Sequence, residues 1–129
     1  SKTAVIPLNT DTALAGTEVN YVPIPSTMNG WKLSAATASC SGSSTSGSPT
    51  FTVRRSSASS LTKVNMLTVN IMIDQGEYDS STSGSAVSIN TSANTIYTGD
   101  KIWVASSGSS TCGTNVTGAD VSLTFQNQP

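Results

Sequence analysis

Met66-Leu67-Thr68-Val69-Asn70-Ile71-Met72-Ile73 is the stretch on which the fold turns. Apolar residues recur there at every second position. In an extended chain Leu67, Val69, Ile71 and Ile73 share one face, and Met66, Thr68, Asn70 and Met72 share the other. The β-branched residues among them are stiff side chains that suit a strand. The pattern predicts one strand over 66–73 with Leu67, Val69, Ile71 and Ile73 turned into a core. A slip of one residue would expose that whole set, so the register is well specified.

Working outward, the same period of two recurs on both sides. Toward the N-terminus, residues 49–55 place Phe51 and Val53 on one face and Thr50, Thr52 and Arg54 on the other. Residues 31–40 follow an Asn29-Gly30 turn, with Trp31, Leu33 and Ala35 opposed to Lys32, Ser34 and Ala36. In residues 17–24, Val19 and Tyr21 oppose Glu18, Asn20 and Val22; Pro23 and Pro25 end that strand and keep it at a sheet edge. Thr10 to Gly16 reads as a turn, and residues 2–8, cut by Pro7, as an edge strand or an extended arm. Toward the C-terminus, Gln75-Gly76 turns the chain and Val87 and Ile89 mark a short strand. Residues 95–104 carry Ile96, Ile102 and Val104, interrupted at Thr98-Gly99-Asp100. Residues 119–126 turn Val121, Leu123 and Phe125 inward and Asp120, Ser122 and Thr124 outward. Polar loops fall at 41–48, 56–63, 78–85 and 105–118.

No segment carries apolar residues at helical spacing between capping residues. About eight strands with regular turn signals define an all-β, antiparallel β-sandwich. Residues 1–16 form an N-terminal arm or edge strand, and residues 17–129 the sandwich domain. The expected core is Leu33, Phe51, Val53, Leu67, Val69, Ile71, Ile73, Val87, Ile89, Ile102, Val104, Val121, Leu123 and Phe125.

Composition agrees. The chain has 129 residues, enough for one domain with a real core. About a third of it is Ser or Thr, far above ordinary usage; Thr suits strands and Ser, with ten Gly, suits turns. A Ser-rich chain could instead be disordered, but apolar residues recur in strand-length groups throughout. Only 10% of residues are charged and the net charge is -1. Both figures speak against a nucleic acid partner, which demands a basic stripe, and against an anionic membrane surface. No apolar run approaches the roughly 20 residues of a membrane-spanning helix. The apolar part of Ser1–Pro7 is too short for a signal peptide, and Ser1 is what removal of an initiator Met would leave.

Reactive chemistry is sparse. The chain has no His, so the commonest general base and the Ser-His-Asp triad are missing. There is neither a nucleophile elbow nor a phosphate-cradling Gly loop. The expectation is no enzyme, no catalytic residue, no metal and no cofactor. Asp74, Glu77 and Asp79 are the one acidic cluster, read as a solvated hairpin loop in preference to a Ca²⁺ site or a glycosidase carboxylate pair. Asp100 reads as the cap of a turn, and Arg54-Arg55 as a solvated strand end or an interface ion-pair partner. Trp31, Trp103 and Tyr97 are open to three readings: subunit interface, core edge, or a platform for sugars. Trp103 alternates away from Ile102 and Val104, which aims it at an outer face. Cys40 and Cys112 both sit in Ser/Gly-rich contexts, loops or strand ends; they are free thiols or one disulfide contributing about 4 kcal/mol, and without His they make no zinc site.

Six ordered pieces carry a further resemblance: Asn29-Gly30-Trp31-Lys32-Leu33; Thr45-Ser46-Gly47-Ser48-Pro49-Thr50-Phe51-Thr52-Val53; Asn65-Met66-Leu67; Ile73-Asp74-Gln75-Gly76-Glu77; Thr98-Gly99-Asp100-Lys101-Ile102; and Val121-Ser122-Leu123-Thr124-Phe125. In this order they resemble a β-sandwich module of bacteriophage virion-surface proteins, of the tail-fibre head and capsid decoration type. The resemblance implies a jelly-roll-like sandwich, often trimeric, displayed on the outer surface of the phage particle. A fibre head usually ends a long shaft, and this sequence has none. Taken as a complete product it would dock by itself, which favours a decoration (cement) protein bound to the major capsid protein or another virion protein. Candidate interface residues are then Val5, Ile6 and Leu8, on an anchoring segment at 1–16, with Trp31 and Trp103. The alternative is the receptor-binding head of a tail fibre or baseplate protein, recognising a host surface glycan through the loops at 41–48, 78–85 and 105–118. In a bacterial virus the sequons at Asn90 and Asn115 would go unused, and assembly in a reducing cytosol favours free thiols.

Overall fold

The computed structural model describes residues 2–9, 20–43, 47–106 and 119–127. Among the described residues ten strands follow one another: β1 (Thr3–Asn9), β2 (Asn20–Pro23), β3 (Lys32–Cys40), β4 (Thr50–Ser56), β5 (Lys63–Asn65), β6 (Leu67–Val69), β7 (Ile71–Met72), β8 (Ser88–Ile89), β9 (Lys101–Ser106) and β10 (Ala119–Gln126). A single 3₁₀ turn, Ser26–Met28, separates β2 from β3. The protein is all-β, and every strand pairing among the described residues is antiparallel.

One sheet runs β1-β10-β3. The other runs β2-β9-β4-β5, with β7 also on β4, and β6 and β8 form a separate two-stranded ribbon. Consecutive strands alternate between the two large sheets at β1/β2, β2/β3, β3/β4 and β9/β10. The last strands slot in between the first ones, β10 between β1 and β3 and β9 between β2 and β4. That winding is a jelly-roll-like β-sandwich. Irregular chain takes the place beside β3. The Cys40 N–H donates to the Tyr78 carbonyl (2.7 Å), Ser80 N–H to Ala38 (3.0 Å) and Leu33 N–H to Asn94 (2.9 Å). One buried cluster joins the sheets, with Leu33, Val121, Leu123 and Phe125 from one and Phe51, Val53, Ile102 and Val104 from the other.

The stretch 66–73 is not one strand. Asn65 lies opposite Arg54 and Ile71 opposite Phe51, so six steps along this segment span three along β4. The surplus leaves the sheet as β6 to pair with β8. An odd surplus reverses the facing of everything after it. Met66 is therefore fully buried, as is Ile71, while Val69 is 38% exposed. The expected inward set loses Val69 and gains Met66.

A smaller irregularity reshapes β3. Thr124 pairs with Ala35 and Phe125 with Leu33, leaving Ser34 as an extra residue. After this bulge the inward positions are Ala36, Ala38 and Cys40, so Ala35 and Ala36 exchange their expected faces. Cys40 is a strand end, the last residue of β3, but it belongs to the buried cluster, and it is disulfide-bonded, not free. Cys112, the one other cysteine in the sequence, lies outside the described residues. Val87 and Ile89 are only partly buried, and Ile24, Met28 and Ile96 complete the core.

Of the two readings of residues 2–8, the strand describes the fold: β1 pairs with β10 from Thr3–Gln126 to Asn9–Asp120. Residues 1 and 10–16 of the proposed anchor, 17–19, 44–46 and the loop 107–118 with Asn115 lie outside the described residues.

Candidate functional site

The side chains of greatest chemical interest gather on the outward face of the five-stranded sheet. On β9, Ile102 and Val104 are fully buried, so alternation sends Lys101 and Trp103 outward. Across the sheet Trp103 stands opposite Tyr21 on β2 and Arg54 on β4. One row along, Lys101 stands opposite Pro23 and Ser56, and Ser56 opposite Lys63 on β5. Directly opposed residues share a face, so Tyr21, Trp103, Arg54, Lys63 and Lys101 form one patch.

Contacts within the patch fix its shape. The Tyr21 and Trp103 rings lie 4.7 Å apart at 39°, within the range of favourable aromatic pairs. The Trp103 indole N–H donates to the Ser56 hydroxyl (2.9 Å), so Ser56 is buried although it faces outward. Lys63 Nζ sits 4.2 Å over the Trp103 ring and Lys101 Nζ 5.9 Å from the Tyr21 ring, both cation–π contacts. Arg54 Nη2 donates to the Lys63 carbonyl (3.3 Å). Tyr21 remains 45% exposed.

The adjacent Arg55 faces the other way, toward Asp100 (3.5 Å). Neither arginine is a solvated strand end. Asp100 is almost fully buried and Oδ2 also accepts the Tyr97 N–H (2.9 Å). This closes the Tyr97–Asp100 turn, where Gly99 has φ +85°, and the capping role expected from the sequence holds.

A groove of about 380 Å³ opens on the outer face of the three-stranded sheet, lined by Pro7, Thr37, Ser39, Asp79, Ser80 and Asp120 among others. The acidic loop beside it uses its carboxylates locally. Asp74 accepts the Gly84 N–H (2.9 Å), Glu77 the Thr82 hydroxyl (2.9 Å) and Asp79 both the N–H and the hydroxyl of Ser81. The Ser81 donors hold the Asp79 carboxyl below its ordinary value of 3.8. Among the described residues no three His, Cys, Asp or Glu side chains converge as metal ligands.

The residues singled out from sequence do not meet. Val5, 60% exposed, shares the outer face of the three-stranded sheet, while Ile6 and Trp31 pack against the core. Leu8 stands opposite Val121. Trp103 lies on the aromatic patch, with Arg54 beside it. Sequence reading missed Tyr21, Lys63 and Lys101 as its neighbours, because strand register joins residues far apart in the chain. Comparison with protein-family models, with curated proteins and with solved structures finds no match for this chain.

Proposed function

We propose that this chain is a non-catalytic virion structural protein of a bacteriophage, a decoration (cement) protein that binds the outside of the head as a trimer and stabilises it. The observation that carries the reading is the aromatic and cationic patch on a rigid sheet. Tyr, Trp and Arg concentrate at protein interfaces, and a flat strand-borne surface presents them without ordering cost. The ordered resemblance to phage surface modules supplies the particle. Each copy bridging neighbouring capsid subunits gains from effective concentration, and a ligand of the assembled lattice alone stabilises that lattice by linkage. Purified protein added to particles lacking it tests the proposal. Many copies distributed over the head, with a raised temperature of capsid disruption, is the expected result; absence from the head sinks it.

The groove beside Asp79 and Asp120 favours a second reading, a receptor-binding head that recognises a host surface glycan. Its hydroxyls and carboxylates are suited to sugar hydroxyl groups. A few copies confined to the tail, with glycan binding that maps to Thr37, Ser39 and Asp120, is the outcome that would select it.

A further inference from the structure

We infer that Asn29 is a chemical modification site: the Asn29-Gly30 peptide closes to a succinimide and opens to isoaspartate, and the docked turn holds that reaction back in the folded protein. The inference does not depend on what the chain binds.

The sequence supplies the reactivity. Among its Asn residues Asn29 alone is followed by Gly. The others precede Thr, Tyr, Met, Ile, Val or Gln, whose side chains crowd the backbone nitrogen that must attack. In the reaction the Gly30 nitrogen gives up its proton and bonds to Asn29 Cγ. The Cγ–Nδ2 bond breaks, and Nδ2 leaves as ammonia with that proton. Water then adds to one of the two ring carbonyls and opens the ring, leaving aspartate or, in the larger share, isoaspartate. Water is the only co-reactant.

The structure supplies the restraint. Asn29 is exposed, so water reaches it. Its φ of -61° and ψ of 127°, Gly30 at φ +84° and the Trp31 N–H donating to the Met28 carbonyl (3.2 Å) define a type II turn. Ring closure needs the Gly30 nitrogen eclipsed with Asn29 Cβ, and at this ψ it is turned well away. Both reacting groups are also tied to the 94–98 segment. Gly30 N–H donates to the Ile96 carbonyl (2.7 Å), and Asn29 Oδ1 accepts the Thr98 N–H (2.8 Å) and hydroxyl (3.2 Å). Groups held out of attack geometry do not react at the rate of free ones. The rate therefore follows local opening of this corner and not the exposure of the side chain.

The consequence is one-way. Isoaspartate routes the main chain through Cβ and adds a methylene between Met28 and Trp31. The turn then cannot keep its bonds to Met28 and Ile96 in register. Trp31 packs against the core and β3 starts at Lys32, so the change loosens the start of β3. Refolding does not reverse it, and the corner sets a working lifetime rather than an equilibrium stability.

The test is ageing of the full chain at neutral pH, folded and in urea above its unfolding midpoint, with peptide mass spectrometry reading the conversion of amide to acid. In urea Asn29 should convert before any other Asn. In the folded protein it should convert about tenfold more slowly or slower still. Gly99→Ala strains the turn that carries Thr98 and should raise the folded rate more than Met66→Ala, which loosens the core elsewhere. Should Gly99→Ala fail to fold, a urea series below the midpoint replaces it: a rate that climbs before global unfolding supports local opening, and one that climbs only with it overturns the gating. Aged protein should unfold at a lower temperature. Asn29→Asp, with its ordinary backbone, should unfold near the unaged protein, and Asn29→Gln, whose longer side chain closes a ring far more slowly, should age without change. Equal folded and unfolded rates, earlier conversion at another Asn, or unchanged unfolding of the aged protein each overturn the inference.

Discussion

At the scale of single residues, backbone conformation and side-chain partners separate positions that look alike in the sequence. Gly30 and Gly99 both adopt left-handed φ angles, +84° and +85°. A Cβ at Gly30 would meet nothing within 4 Å, whereas one at Gly99 would lie 2.8 Å from the Ala58 Cβ. Gly30→Ala should therefore cost only the conformational term, about 1 kcal/mol. Gly99→Ala adds a clash against a neighbour with no side-chain freedom to yield, and should cost about 2–3 kcal/mol. Urea unfolding of both variants checks the difference; equal losses would mean that Ala58 does not press on the turn. Asp79 supplies a second prediction. Ser81 donates to its ionised form and lowers its pKa below 3.8. A depressed carboxylate contributes stability above its unfolded value, and that contribution fades as pH falls through the folded value. The 79–81 loop should thus keep its hydrogen bonds through neutral and mildly acidic solution and loosen only below about pH 4. An NMR titration midpoint for Asp79 above 3.8 would contradict this.

At the scale of strands, the sequence was legible wherever alternation ran unbroken. Residues 119–126 and 49–55 turned the expected side chains inward, and Pro23 did mark an edge, since β2 borders its sheet. Alternation failed where the count of residues between sheets was odd. Nothing in the text of 66–73 announces that β6 leaves for β8, because that pairing depends on a partner elsewhere in the chain. The bulge at Ser34 is silent for the same reason. The site suffered likewise: Trp103 could be aimed outward from its neighbours, but its position beside Tyr21 and Lys63 is set by register alone. The two accounts of 66–73 make opposite predictions. Uninterrupted alternation makes Val69 a core residue and Met66 a surface one; the structure reverses them. Met66→Ala should cost about 2–4 kcal/mol through lost contacts and a residual cavity, and Val69→Ala less than about 1 kcal/mol. Denaturant midpoints rank the pair directly, and the reverse order would restore a single continuous strand.

At the scale of the whole molecule, the two-sheet sandwich is held by one apolar cluster and by a covalent tie from the end of β3. The sandwich brings distant segments together, since β10 lies between β1 and β3 while most of the sequence separates them. Such non-local pairing is costly in chain entropy before any contact rewards it. The disulfide at Cys40 offsets part of that cost. Cys40 stands opposite Ala119, the first residue of β10, and the one other cysteine available to it is Cys112. A bond between them closes a loop of roughly seventy residues that contains β4 to β9, and restricts the unfolded chain by about 4 kcal/mol in the entropic description. Cys40 is buried among core residues, so replacing the pair by Ala also removes some packing, whereas reduction leaves every side chain in place apart from the bond. Reduction under native conditions should accordingly lower the unfolding free energy by about 4 kcal/mol while strand content and the Trp103 environment persist. Far-ultraviolet circular dichroism and indole fluorescence, followed through urea unfolding with and without reductant, read both quantities at once. Identical unfolding curves would mean that the tie contributes nothing, and collapse of the sheet signal on reduction would mean that the core alone cannot hold the two sheets together.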